Sequence, residues 1–215
     1  MKPRNRARLT SPSYRHLLER LDRWMENGRR SHPGVVPCRA GCTACCHGPF
    51  DITVADVELI REAVARMPEP ERGEVGRRAG ELLARLSALA PAWAPPYDIG
   101  VLGDDRFDQV ADHLVAEPCP LLGDDGRCRI YDDRPMVCRL IGLPMRSRAG
   151  RVIENACPIQ ERFPDYAALA PLPFDLEEFE GVELACLRSA AQRLLGDGSR
   201  WAFETTIAAA VLLSP

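Results

Sequence analysis

Four cysteines fall within nine residues of this chain, in the run Cys38-Arg-Ala-Gly-Cys42-Thr-Ala-Cys45-Cys46. No other feature restricts the fold as strongly. Wound as a helix, the four would sit at i, i+4, i+7 and i+8, on one face. Laid out as a loop, Gly41 would let the backbone fold round an ion. In either form the thiols crowd together. Thiolates so placed repel one another, and a cation is the direct remedy. The competing reading is packing alone, because a free cysteine is also a small hydrophobe.

Cys119, Cys128, Cys138 and Cys157 follow, in the spacing C-x8-C-x9-C-x18-C. Alone this is a weak pattern. With the first run it makes eight thiols, enough for two tetrahedral zinc sites, one cluster plus one ion, or a single cluster with spares. The ninth cysteine, Cys186, stands apart. The helix that carries it should bury Leu184, Leu187, Ala191, Leu194 and Leu195, with Cys186 pointing away, so it reads as a non-ligand. His47 follows Cys46 directly, and imidazole suits both zinc and iron. A neighbouring or surface role is the simpler reading. His16, His32 and His113 show no ligand spacing.

The odd number of cysteines argues against a purely paired disulfide framework. No segment reads as a signal peptide, and no stretch approaches the roughly 20 apolar residues of a membrane span. The expected location is therefore the cytoplasm, where clustered thiols bind metal or do chemistry rather than pair. Among 215 residues, 46% are hydrophobic and 27% charged, which suits an ordinary globular core. A net charge of −3 gives no general case for nucleic acid. The charge is uneven, however. Residues 1–30 hold nine Lys and Arg against three Asp and Glu, with Lys2, Arg4, Arg6 and Arg8 forming a basic tail. That tail reads as a solvated arm, or as one that touches RNA or an acidic partner.

Apolar periodicity predicts helices over 12–28, from Thr53 to about Met67, and over about 75–89. Gly28 is the expected stop of the first. Thr53 and Asp56 form a capping-box pattern for the second. Residues 91–103 read as a loop, and 105–116 as a short helix or a strand. CPLLGDDGRCRIY reads as a β-hairpin turning at Asp125-Gly126, with Cys128 opposite Gly123 and both Cys119 and Cys128 on one face. A short helix is expected over 133–142, with Pro135 in its first turn. Helices are expected over about 175–196 and 200–213.

CRAGCTACC and CPLLGDDGRCRIYDDRPMVCR together resemble the YkgJ-type cysteine-cluster family, named for a CxxCxxCC motif and described as zinc- or iron-chelating. The resemblance covers about residues 35–160. Here the first gap has three residues where the motif has two. The resemblance implies Cys42, Cys45, Cys46, Cys119, Cys128 and Cys138 as metal ligands, with Cys38 and Cys157 beside them. Arg134 and Arg139 would then be counter-charges to an anionic centre, or would pair with acids such as Asp132 and Asp133.

The expected fold is mainly α with a small β-hairpin: one metal-centred domain with flanking helices. Residues 1–34 form the basic tail and first helix, 35–160 the cysteine-cluster domain, and 161–215 a C-terminal helical extension. The expected ligand is Zn2+, iron or an iron–sulfur cluster, with no catalytic residue assigned and no membrane or strong nucleic-acid partner. Two alternatives remain open. One is an iron–sulfur redox or radical enzyme, including protein-lysine modification, since Cys38, Cys42 and Cys45 have C-x3-C-x2-C spacing. Against it, Ala44 replaces the usual aromatic residue and the chain lacks the repeated strand–helix pattern of a barrel. The other is a zinc-stabilised RNA-associated factor using the basic N-terminus.

Overall fold

A computed structural model describes residues 10–39 and 41–213. The basic tail read at Lys2 to Arg8 lies outside the described residues. The frame is helical: α1 (Pro12–Ser31), α2 (Val54–Arg66), α3 (Glu69–Leu89), α4 (Ile99–Leu102), α5 (Asp104–Asp112), α6 (Met136–Leu140), α7 (Pro164–Ala167), α8 (Leu176–Leu195) and α9 (Ile207–Leu212). Five short strands complete it: β1 (Asp51–Thr53), β2 (Met145–Arg146), β3 (Val152–Ile153), β4 (Leu172–Pro173) and β5 (Glu204–Thr206).

Ser11 caps α1 by accepting from Tyr14 N at 3.1 Å, and the buried stripe of Tyr14, Leu17, Leu18 and Leu21 faces the core. Gly28 does not stop this helix, which runs on to Ser31. Gly28 serves instead as a point of close approach. A Cβ there would lie 2.4 Å from Leu143 Cδ1 and 2.8 Å from Leu172 Cδ1.

The capping box at Thr53 is present. Its hydroxyl accepts from Asp56 N, and the Asp56 carboxylate accepts from Thr53 N. Thr53 also ends β1, which pairs antiparallel with β5 through Asp51–Thr206, Ile52–Thr205 and Thr53–Glu204. The same device recurs on the partner strand, where Thr206 caps α9 by accepting from Ala209 N at 3.2 Å. Two paired strands thus each run straight into a capped helix. This corrects the continuous helix expected over 200–213. Thr205 and Thr206 are wholly buried, and their backbone completes the β1 ladder rather than a helix turn. Residues 105–116 resolve as the helix α5 followed by turns. The loop expected over 91–103 contains the single turn α4.

The apolar faces of α1, α2, α8 and α9 share one core containing Leu59, Ile60, Phe179, Ala190 and Ile207. A second cluster, with Leu86, Trp93 and Phe107, lies between α3 and α5 and is closed by Ala208 and Ala209 of α9. Two buried carboxylates bind the layers. Glu58 accepts from Arg193 of α8 at 2.7 and 2.6 Å. Asp56, 1% exposed, accepts from the Tyr14 hydroxyl at 2.8 Å and from Met136 N at 3.0 Å. Among the described residues no helix is long and apolar enough to cross a membrane.

Glu183 on α8 has no such partner. Burial first, then the charges of Asp56, Glu180 and Glu204, push its carboxyl up to about 7. A carboxyl raised on folding contributes stability that is full below its unfolded pKa and lost as pH rises through the folded one. Glu183→Gln should therefore raise thermal stability at pH 8, by on the order of 2 kcal/mol, and change little at pH 4. Melting curves at the two pH values check this.

Candidate metal centre

The first cysteine run is a loop rather than a helix. Cys42 N donates to Arg39 O at 2.9 Å, with Gly41 at a φ of +84° inside that turn, and Cys46 N donates to Thr43 O at 2.8 Å. The loop is sewn to the second cysteine segment by its backbone. Cys119 N donates to Cys46 O at 2.9 Å, Gly48 N donates to Glu117 O at 2.7 Å, and His47 and Pro118 form an antiparallel bridge.

The hairpin expected around Asp125-Gly126 shrinks to a single bridge between Leu122 and Cys128. Its register is one residue from the expected one. Gly126 N donates to Gly123 O at 3.0 Å and Gly123 N to Arg127 O at 2.7 Å, so a larger loop closes on Gly123 and Arg127. Cys128 then lies opposite Leu122. The chain also turns back at Cys119, where Leu122 N donates to Cys119 O at 2.9 Å. Strand alternation therefore does not decide where Cys119 points. The turn itself leans on the first loop, because a Cβ at Gly126 would lie 3.5 Å from Thr43 Cγ2.

Cys138 rides on α6, two residues after Met136, whose N–H is fixed on Asp56. Cys157 is positioned by Asn155. The Asn155 Oδ1 accepts from Cys157 N at 3.0 Å and from Gly142 N at 3.1 Å. Tyr166 closes this corner by donating to Gly142 O at 2.7 Å. Cys38 lies on the other side of Gly142, whose Cβ would stand 3.7 Å from Cys38 Sγ.

All nine cysteines are free thiols. Among the described residues, no three His, Cys, Asp or Glu side chains stand at metal-ligand spacing as they are. The thiols nonetheless share an electrostatic neighbourhood. Burial raises Cys138, and the fields of Cys119, Cys128, Asp56 and Cys45 add to it. Burial likewise pushes Cys119 up to about 12. The Cys45 thiol donates to Cys46, which raises Cys45 and lowers Cys46. Burial and then Cys157, Cys42 and Cys45 raise Cys38.

The donor set fits a thiophilic cation. The backbone N–H groups of Leu121 and Leu122 work to lower Cys119, and that of Ile130 to lower Cys128, against the larger effect of burial. Such donors favour a thiolate over a thiol. Cationic groups stand close by. Arg134 lowers both Cys45 and Cys128. Arg29 lowers Cys38 and donates to its carbonyl oxygen at 2.7 Å.

Arg134 and Arg139 do not pair with the carboxylates of Asp132 or Asp133. Both reach back to Asp22 on α1. Arg134 also lies over the Tyr131 ring, with its guanidinium carbon 4.3 Å from the centroid. Arg139 is 3% exposed and donates to the carbonyl oxygens of Arg134 and Asp132 as well.

Cys186 is apart from the other eight, as expected, but not on the surface. It is 5% exposed, beside Leu187 in the main core, and no other cysteine contributes to the field it feels. The helix α8 is rotated from the expected face, burying Cys186, Leu187, Ala190 and Ala191. His47 turns its ring to Thr43 O, 3.0 Å from Nδ1, and so steadies the loop. Asp22, Arg29 and Tyr166 carry no local sequence signal, because each acts through a contact distant in the chain, and of the two contacts of Asn155 the one to Gly142 is distant as well.

Residues 37–158 match the family model CxxCxxCC, described as "Putative zinc- or iron-chelating domain". The chain belongs to this family. The matched span contains all eight clustered cysteines and supports metal binding by the chain. No curated protein matches the chain. No solved structure matches it either.

In the metal-free chain the hydrogen bond from Cys45 makes Cys46 the most easily ionised of this pair. Brief iodoacetamide treatment at pH 7 should modify Cys46 ahead of Cys45, Cys119 and Cys138. Peptide mass spectrometry gives the order, and equal labelling of Cys45 and Cys46 would contradict it.

Proposed function

We propose that this CxxCxxCC protein binds zinc or iron through thiolates drawn from Cys38, Cys42, Cys45, Cys46, Cys119, Cys128, Cys138 and Cys157, as a metal-holding module. The observation that carries this reading is the joining of the two cysteine segments, Cys119 N donating to Cys46 O at 2.9 Å, among thiols that are all free. The backbone groups that work to lower Cys119 and Cys128 favour the thiolate a metal would bind. Family membership supports the same chemistry. Eight free thiols also call for a reducing compartment, and the cytoplasm fits that need.

A bound cation would remove the repulsion among these thiolates and draw the two cysteine segments onto one centre. Zinc would give a closed, redox-silent site; iron or an iron–sulfur cluster would give a coloured one. Anaerobic purification with metal analysis and a visible spectrum tests the reading. Stoichiometric zinc in a colourless protein, or iron with sulfur-to-iron charge-transfer bands, supports it. Absence of retained metal, with none taken up on reconstitution, would overturn it.

Ligands and non-ligands should separate on substitution. Cys128→Ser should lower the bound metal, while Cys186→Ser should leave it unchanged, as read by elemental analysis per mole of protein. The metal should also stabilise the chain unevenly. Structural zinc is worth about 10–16 kcal/mol in small modules, but here a helical core stands beside the site. Chelation should therefore accelerate hydrogen exchange most over 38–50 and 119–157, and least in α8. Equal acceleration along the whole chain would contradict this.

A further inference from the structure

One peptide beside the cysteines is gripped at both ends. Gly142 N donates to Asn155 Oδ1 at 3.1 Å, and Gly142 O accepts from the Tyr166 hydroxyl at 2.7 Å. Gly142 has a φ of +128°, a conformation that glycine alone adopts freely, and a Cβ there would stand 3.7 Å from Cys38 Sγ. The same Asn155 Oδ1 accepts from Cys157 N at 3.0 Å. The Asn155 carbonyl oxygen accepts from Gln160 Nε2 at 2.9 Å. Asn155 thus ties the glycine beside Cys38 to Cys157 itself.

This brace leaves half of the amide unused. Asn155 is 7% exposed, and its Nδ2 is buried without a hydrogen-bond acceptor. Turning the amide over does not help. Two backbone N–H groups would then face an NH2 group, so their bonds fix which end carries the oxygen. A buried donor left unpaired is costly, and a brace that uses only the oxygen gives no reason for it.

The missing acceptor is close at hand. The side chains of Asn155 and Cys157 are both hydrogen-bonding neighbours of the Tyr166 hydroxyl, whose own hydrogen goes to Gly142 O. A neutral thiol accepts weakly, whereas a thiolate accepts strongly. Cys157 is 5% exposed, and a bare thiolate at that depth needs a cation to compensate it. The unused donor and the cation therefore call for the same thiolate.

We propose that Asn155 is a positioning residue of the metal centre: its Oδ1 holds the Cys157 backbone in place, and its Nδ2 donates to the Cys157 sulfur when that sulfur is a metal-bound thiolate. This rests on the metal-binding reading above, with Cys157 among the ligands. Outer partners of this kind fix a ligand's orientation, and their loss commonly lowers metal affinity about 10–100-fold.

The full chain, reduced and stripped of metal, can be loaded with 113Cd2+ and its asparagine side-chain NH2 groups followed by 15N NMR. Proximity to the Cys157 and Gly142 amide protons identifies the Asn155 pair. On loading, one Asn155 Hδ2 should move downfield, exchange more slowly with solvent, and couple to the same cadmium resonance as the Cys157 Hβ atoms. Asn155→Asp keeps an oxygen for the two backbone N–H groups and loses the donor, and it should bind cadmium about 10–100-fold more weakly. Cadmium bound by the wild-type chain with both Asn155 Hδ2 protons unmoved would overturn the proposal and leave metal binding intact, whatever the variant does. Asn155 would then be a brace, or a donor to Tyr166, and no more. Unchanged affinity in a folded Asn155→Asp chain would overturn it equally. No cadmium bound by the wild-type chain would overturn metal binding itself. The proton reading needs no variant, so it decides the matter even if Asn155→Asp fails to fold.

Discussion

The carboxylate of Asp56 is the point on which the arrangement turns. It lies in the first turn of α2, closes the capping box with Thr53, accepts from the Tyr14 hydroxyl of α1 and accepts from Met136 N at the start of α6. One side chain therefore fixes two long helices and the short one that carries Cys138. Burying a carboxylate is costly, and here burial raises its pKa even against these donors. The compensation is geometric. A buried charge with all its donors in place admits few alternative arrangements, whereas removing one donor leaves the charge exposed to its full desolvation penalty. The position of Cys138 relative to α1 and α2 is thus set by a group that never touches a sulfur.

The cationic side of the site is anchored in the same helix pair. Asp22 of α1 receives both Arg134 and Arg139, and Arg139 in turn holds the carbonyl oxygens of Arg134 and Asp132. This pins the chain between Cys128 and Cys138. It also leaves Arg134 close enough to lower Cys45 and Cys128. A four-thiolate site on a divalent ion carries a net −2 charge, so a guanidinium held beside it by a separate carboxylate offsets that charge without competing for the metal. The pairing with Asp22 and the field at the thiols are two effects of one placement.

What could be read in the sequence divides along the same physical line. Long amphipathic helices declare themselves through local periodicity, and α1, α2, α3 and α8 were all legible that way. The Thr53 cap was legible because both its residues lie within one turn. The strand at 204–206 was not, because it leads straight into the apolar run from Ile207 that reads as a helix, and only the distant β1 makes Glu204–Thr206 a strand. The face of α8 was misjudged for a similar reason. Which of its two adjacent stripes is buried depends on the helices opposite, and the packing of α1 and α2 selects the one with Cys186. The hairpin register slipped by one residue because Gly123 and Arg127, not the Asp125-Gly126 pair, close the loop. At the site, the cysteines stood out by density alone. Asn155, Tyr166 and Asp22 did not, since a hydrogen bond across many residues leaves no mark in spacing.

The cysteine segments themselves contain little regular structure. The described residues of 37–50 and of 117–130 form only turns, bends and single bridges, so the six cysteines there gain little support from their own backbone bonding. The helices that could hold them lie largely outside the family-matched span. Tyr14, Leu17 and Leu21 precede it, and Phe179, Leu187, Ala190 and Ile207 follow it, yet all seven share one core with Val57 and Ile60 of α2. The main core also takes in Leu121, Ile130 and Met136, with the partly buried Cys119 and Cys128 packed against it. Burying these apolar neighbours fixes one edge of each cysteine turn without any metal. The other edge, at Cys38, Cys42, Cys45 and Cys46, is held by backbone bonds to the 117–119 segment, by Arg29, and by the closeness of Cys38 to Gly142 and of Thr43 to Gly126. The helical frame therefore fixes where the cysteines lie, and on the metal-binding reading a thiophilic cation would supply the attraction that the loop lacks.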